Sequence, residues 1–464
     1  MVKASSDGWA RAGAESGGAA GRGGLAQALR TPLSAPVPPS APFAASFPPQ
    51  AGCPRQETAP AGRVVEAAEG PAAKPPWHYR IRCDQIARSE ARRERFGMLG
   101  YLRRWSELKS QRQCGSKISH GYESAEVVKR EHKASVRHLN YCRRLDCPVC
   151  GPGVAEREAA NIGLAVTEQY ARGGSVAFIT LTLRHVRSQA LVFLLAALGA
   201  AWTSVRASRS TRPLWSEMTD GFIRKLEVTF GLNGWHPHLH LLVFLRPGVT
   251  AADARRLADA IFDPWSTVLV SKGLTAPDRR RAVDVEVLDL ESAQERVAAY
   301  VAKDAARELA SAGGKRGRRG GSRTTYELLA DAAKGDGHSM VRYAEFEDAM
   351  RGRNRIQWSK GLRDELLGDL ADDSEDETGR SIAFLGPELV SALDRNLRAG
   401  VGPTMVTVLD IVESEDDDVR AFVALRDALR GAGLPPPAPA GHLAELVRER
   451  DYTVTRYEPR LFWR

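Results

Sequence analysis

Two segments of alternating polarity, joined by a glycine-flanked turn, constrain this chain more than any other feature. Residues 222–230 set Phe222, Leu226, Val228 and Phe230 on one parity and Ile223, Lys225, Glu227 and Thr229 on the other. Residues 236–244 read His236-Pro237-His238-Leu239-His240-Leu241-Leu242-Val243-Phe244, and Gly231-Leu232-Asn233-Gly234 lies between the two segments. Successive side chains of a strand point to opposite faces, and this turn composition favours a tight reversal. The spacing therefore predicts a β-hairpin over 222–245, apolar on one face and carrying three imidazoles on the other. A turn about Asn233 sets Glu227 opposite His240 and Thr229 opposite His238.

The remaining elements point to an α+β fold with an antiparallel sheet. Val176-Ala177-Phe178-Ile179-Thr180-Leu181-Thr182-Leu183 reads as a strand, with Thr180 and Thr182 on one face. A helix is expected over about 154–171, stopped by Gly173-Gly174, and others over about 188–207 and 250–272. Val283 to Val287 is a further strand, running into a helix over about 292–311. The expected organisation is a disordered Ala/Gly/Pro-rich segment 1–78, a basic helical and cysteine-rich region 79–155 and a core 156–312. A flexible basic loop 313–323, a helical extension 324–370, an acidic linker 371–380 and a C-terminal unit 381–464 of open role follow.

The chain has 464 residues and a net charge of +9, which favours a polyanionic partner. Its first residues lack an apolar signal region, and the longest apolar run, Ala190 to Trp202, is too short to span a bilayer. A cytoplasmic protein without a membrane partner is expected.

Imidazole is the commonest protein ligand for a catalytic divalent metal. A carboxylate and two imidazoles on one face, Glu227 with His238 and His240, suit Mg²⁺ or Mn²⁺ and leave positions open for a phosphate. His236 precedes a proline near the turn and is a third ligand, a substrate contact or an exposed side chain. The competing reading is a solvated surface strand, which strict alternation of three histidines with a facing glutamate disfavours.

On the helix that follows, Tyr300, Lys303 and Asp304 fall on one face. A tyrosine oxygen attacking a phosphodiester would leave a phosphotyrosine and a free 3′-hydroxyl. Ser292 and Glu295 form a capping-box pattern at the start of that helix. Upstream, Cys142-x4-Cys147-Pro148-Val149-Cys150 has the spacing of a zinc knuckle, with Cys114 the best fourth ligand and His138 and His132 its rivals. Three buried free thiols are the alternative.

These motifs resemble those of HUH endonucleases in order: Phe178 to His185, then Glu227-Val228-Thr229 with Gly234-Trp235-His236-Pro237-His238-Leu239-His240, then Tyr300-Val301-Ala302-Lys303. They are most similar to replication initiators of actinobacterial rolling-circle plasmids, as are the Cys-Pro-x-Cys segment and Ile356 to Arg363; the resemblance covers about 110–370. It implies a ferredoxin-like antiparallel core with a metal on its face, His238 and His240 as ligands, Tyr300 as the nicking nucleophile and Lys303 as the motif lysine. It further implies plasmid origin DNA, as a single-stranded nick site with flanking duplex, and a host helicase and polymerase as partners in a bacterial cytoplasm.

Arg184, His185, Lys315, Arg316, Arg318, Arg319, Arg353 and Arg355 are candidate DNA contacts, and Trp358 is a stacking or core residue. The chain departs from related initiators in having Asp304 where a second tyrosine is often found, and Arg296 one turn before Tyr300 where some carry a glutamate. A transposase or relaxase of the same chemistry, or a non-catalytic zinc-dependent regulator, are the rival readings.

Overall fold

The computed structural model describes residues 77–293, 322–368 and 379–449. The expectations for all but the last two residues of 1–78, for most of the basic loop and for most of the acidic linker fall outside them.

The strands, in chain order, are β1 (Ala125–Arg130), β2 (Lys133–Arg137), β3 (Ser175–Leu181), β4 (Thr219–Gly231) and β5 (Gly234–Leu245). They continue with β6 (Val283–Leu288), β7 (Arg323–Thr324), β8 (Ile356–Trp358), β9 (Arg380–Leu385) and β10 (Ala438–Pro439). The larger sheet has the order β6-β3-β5-β4-β7, with β8 also on β4, and every pairing in it is antiparallel. Helix Leu191–Ala207 follows β3 and helix Ala251–Ser271 follows β5. The chain therefore runs β-α-β-β-α-β through β3, β4, β5 and β6, the connectivity of a split βαβ unit.

The alternation in the sequence explains how this sheet is covered. Ile179, Leu181, Leu226, Val228, Trp235, Leu239 and Leu241 share one face and pack into a core with Leu194, Leu198, Trp202, Leu257, Ile261 and Trp265 of the two helices. The opposite face carries Val176, Ile223, Leu242 and Phe244, which pack on Ile162, Ala165 and Val166 of helix Gly151–Ala171 and on Leu362 and Leu366. Burying one such aliphatic or aromatic side chain is worth about 1.5–3 kcal/mol, so neither face can be exchanged for the other. Among the described residues no single helix is long and apolar enough to cross a membrane.

The hairpin register corrects the expectation. The turn is Leu232-Asn233, flanked by the pair Gly231 and Gly234, so Glu227 faces His238, Lys225 faces His240 and Thr229 faces His236. Gly234 dictates this placement. Its φ is +85°, and a Cβ there would sit 2.9 Å from backbone atoms of Arg187. The offset from the expected pairing is even, so the parity of the faces survives.

Two further differences concern the flanks. The stretch 324–370 was expected to be helical, but Ile356–Trp358 is a strand on β4. Residues 381–464 were set apart as an appended unit. Instead β9 pairs with β1, giving a second antiparallel sheet in the order β10-β9-β1-β2. Its core joins Val127 and Val136 to Ile382, Leu385, Leu393, Val408, Phe422 and Leu429. Helix Trp77–Trp105 spans the two sheets: Met98, Tyr101 and Leu102 enter the first core and Phe96 packs on the second. Buried Arg92 forks between Asp410 and Glu413, and Ser89 donates to Asp410 at 2.7 Å.

Gly173 also has a positive φ, +80°, but a Cβ there would meet nothing within 4 Å. In denaturant titrations, Gly173→Ala should lower the unfolding free energy by about 1 kcal/mol and Gly234→Ala by at least about twice that. Equal losses would show that the Arg187 contact does not hold the turn.

Candidate metal centre and its surroundings

Glu227 on β4 and His238 and His240 on β5 converge on the second face of the sheet. Glu227 Oε2 lies 3.3 Å from His238 Nε2 and 2.9 Å from His240 Nε2. Metal–ligand bonds of about 2.1 Å place adjacent octahedral ligands about 3 Å apart, so the spacing of these donors fits one ion. Mixed nitrogen and oxygen donors suit Mg²⁺, Mn²⁺ or a similar divalent metal. His240 is oriented from behind: its Nδ1 is 3.2 Å from Thr180 Oγ1 of β3, and its ring stacks against Phe178 at 5.2 Å. Such outer contacts fix the tautomer and aim the ligating nitrogen.

The electrostatics agree with an anionic carboxylate. Burial works against its charge, but hydrogen bonds and charge from His238 and His240 hold Glu227 well below the usual carboxylate range. Burial lowers His240, opposed by its hydrogen bond to Glu227. Lys225, on the face of Glu227 and opposite His240, is fully buried and adds positive charge beside that histidine. The sequence reading did not single it out, although its parity with Glu227 was the available signal.

His236 does not join the group of ligands. Its Nδ1 lies 2.9 Å from His185 Nε2, and burial with the neighbouring histidines lowers it to about 4. The loop carrying His185 thus closes over the hairpin end and takes His236 with it.

The second group of donors is Cys114, Cys142, Cys147 and Cys150. The Sγ separations are 3.4 Å for Cys114 and Cys150, 3.7 Å for Cys114 and Cys147, and 3.8 Å for Cys142 and Cys150. A tetrahedron with Zn–S bonds of about 2.3 Å has edges of about 3.8 Å, so the four thiols fit zinc. Three neighbouring thiols donating to Cys114 drive it well below an ordinary thiol, and the backbone N–H of Cys142 also points to its sulfur at 3.5 Å. The rival ligands lie elsewhere. His138 stacks on Tyr122 at 3.8 Å, and His132 is exposed.

The cysteine loop is tied to the strand that carries Glu227. Arg355 donates to Asp146 at 3.0 Å and to the Leu226 carbonyl at 3.4 Å, and its own carbonyl accepts from Leu226 N–H at 2.7 Å. Tyr326 donates to the carbonyls of Leu145 and Cys147 at 2.8 and 3.1 Å. Arg355 is only 4% exposed, which removes it from the candidate DNA contacts: it is a buried tie between the loop and β4. Arg353 is half-buried and donates to the Ala349 carbonyl at 3.1 Å, whereas Arg184 is exposed. Trp358 is half-buried and donates to Glu158 at 3.1 Å, as a packing residue would.

Tyr300, Lys303, Asp304, Lys315, Arg316, Arg318 and Arg319 lie outside the described residues, as does Glu295. Residues 290–293 begin a helix whose cap is Asp289, its carboxylate accepting from Ser292 N–H at 2.7 Å. Ser292 is therefore the third helical residue of that start and not its cap.

Residues 133–259 match the family described as "Replication protein". That span takes in Cys142 to Cys150 and the convergent Glu227, His238 and His240, and ends before residue 300. The chain is similar to "Protein rep" of Streptomyces lividans, 30% identical over 322 aligned residues covering 56% of this chain and 69% of that protein. It is also similar to "Neomycin resistance protein" of Streptomyces cyanogenus, 30% identical over 125 residues, which are 21% of this chain and 29% of that protein. No solved structure matches.

Glu227→Gln should weaken Mn²⁺ binding at least about tenfold by calorimetry while leaving zinc content unchanged by elemental analysis. Cys147→Ser should do the reverse to zinc content. Loss of both metals in Glu227→Gln would mean that the two groups are not separate sites.

Proposed function

The chain belongs to the family of Rep replication proteins, and from that premise we propose that it initiates rolling-circle replication of a plasmid by nicking one strand at the origin. The observation that carries this reading is the convergence of Glu227, His238 and His240 on one face of an antiparallel sheet. Bound there, a divalent ion would draw charge from the non-bridging oxygens of a phosphodiester and orient it for attack.

The rest is the work of side chains. The Tyr300 oxygen gives up its proton and attacks phosphorus, the bond from phosphorus to the 3′-oxygen breaks, and that oxygen takes up a proton in exchange and leaves as a hydroxyl. The 5′-phosphate stays joined to the tyrosine. Lys303, one turn on, supplies positive charge to the phosphoryl group as negative charge builds on it. In the closing step a 3′-hydroxyl attacks the phosphotyrosine, the phosphodiester is restored and the tyrosine is released. Asp304 is the carboxylate best placed by sequence to accept a proton in a second transfer.

Buried Lys225 lowers the cost of gathering a phosphate and a carboxylate on one face. The cysteine site, holding zinc, keeps the loop 142–150 rigid so that Arg355 can brace β4. Origin DNA is the substrate, with a host helicase separating the strands and a host polymerase extending the exposed 3′ end.

Incubating the protein with a single-stranded origin oligonucleotide and Mn²⁺ should give a covalent adduct on a denaturing gel. Tyr300→Phe should abolish it, and His238→Ala should lower its rate at least about a hundredfold. An undiminished adduct with Tyr300→Phe would remove that residue from the chemistry. No adduct with the unaltered protein would favour a non-catalytic DNA-binding regulator.

A further inference from the structure

The apex of the hairpin is a leucine. Leu232 occupies the two-residue turn between β4 and β5 and is 74% exposed. Among the residues of this turn only Gly234 takes a positive φ, so the backbone itself demands no particular side chain at 232. A second exposed aliphatic, Val186, lies at 53% exposure on the loop after β3.

The two loops pack against each other. The Gly234 backbone approaches that of Arg187 so closely that a Cβ would come within 2.9 Å, and His185 meets His236 at 2.9 Å. The His185 ring also lies against the Asn233 backbone. Leu232 and Val186 are thus held on one braced tip. Arg184 and Arg187, both exposed, flank Val186 in the chain.

The tip lies on the same hairpin as Glu227, His238 and His240. The rings of His236 and His238 are 5.2 Å apart and those of His238 and His240 4.5 Å apart, so the imidazole row runs from the tip into the centre. From Leu232 to His238 is six residues, about 20 Å of extended chain, or about six base-pair steps of duplex.

Rigid aliphatic side chains flanked by arginines match one partner chemistry, a stacked nucleic-acid duplex. Aliphatic wedges enter between base steps and unstack them, while the cations hold the phosphates. We infer that Leu232 and Val186 form a wedge that opens duplex origin DNA within about six base pairs of the nick site, delivering a single strand to the metal centre. This inference rests on the nicking reading for its substrate but makes a separate claim about strand opening. It accounts for how a centre acting on an extended strand obtains that strand from a duplex.

The test uses the full chain carrying Tyr300→Phe, so that opening is read without cleavage, on duplex origin DNA with 2-aminopurine placed singly at the positions flanking the nick. Binding should raise 2-aminopurine fluorescence within about six base pairs of the nick. Adding Leu232→Asn and Val186→Ser should abolish the rise. With Tyr300 intact, the double variant should nick duplex origin about tenfold or more slowly yet nick the single-stranded oligonucleotide within about twofold of normal. A full fluorescence rise in the double variant, or equal losses on duplex and single strand, would overturn the wedge. Failure of the unaltered protein to nick a single strand would instead count against the nicking reading, with the fluorescence still reporting on the wedge.

Discussion

The pairing of β4 with β5 is the interaction on which the rest depends. It places Glu227 across from His238, and Lys225 across from His240, by alternation alone. A slip of one residue would turn one strand over against the other, sending either Glu227 and Lys225 or His238 and His240 toward helices 191–207 and 251–271. Either outcome would separate the carboxylate from the imidazoles and bury polar or charged groups in an apolar core, at several kcal/mol for each charged group. The apolar face thus enforces the polar one. Gly234 adds a local pin, since its backbone conformation and its contact with Arg187 set where the turn falls.

Around that hairpin, charge is held in place by burial. Arg355 joins Asp146 of the cysteine loop to the Leu226 carbonyl, one residue from Glu227. Breaking a buried ion pair of this sort by removing one partner costs about 3–5 kcal/mol, so the cysteine loop and the strand carrying Glu227 are mechanically one unit. Arg92, between Asp410 and Glu413, performs a similar service between helix 77–105 and the C-terminal helices. The two donor groups have different characters. The four cysteines form a closed set suited to structure, whereas Glu227, His238 and His240 supply three donors on one side of an ion and leave the other open to a phosphate.

Much of this was legible in the sequence because it follows from period and spacing. The parity of residues 222–245 predicted the hairpin, its two faces and the convergence of Glu227 with His238 and His240. The Cys142 to Cys150 spacing, with Cys114 upstream, predicted the four-thiol group. What escaped the sequence depends on distant partners. The turn position shifted by an even offset, which period-two reasoning cannot detect. Ile356–Trp358 is a three-residue strand that exists because β4 offers it an edge. The pairing of β9 with β1 joins residues more than two hundred apart, and no local pattern announces it. Arg355 reads as one more cation in an arginine-rich stretch until Asp146 is seen beside it. His236 alternates correctly with the ligands, and only the His185 loop draws it away.

Anomalous diffraction from crystals soaked in Mn²⁺ shows whether one divalent ion binds among Glu227, His238 and His240. A manganese peak is expected within bonding distance of Glu227 Oε2 and the Nε2 atoms of His238 and His240, and no such peak in Glu227→Gln. A manganese peak between His185 and His236, or full occupancy in Glu227→Gln, would contradict that site.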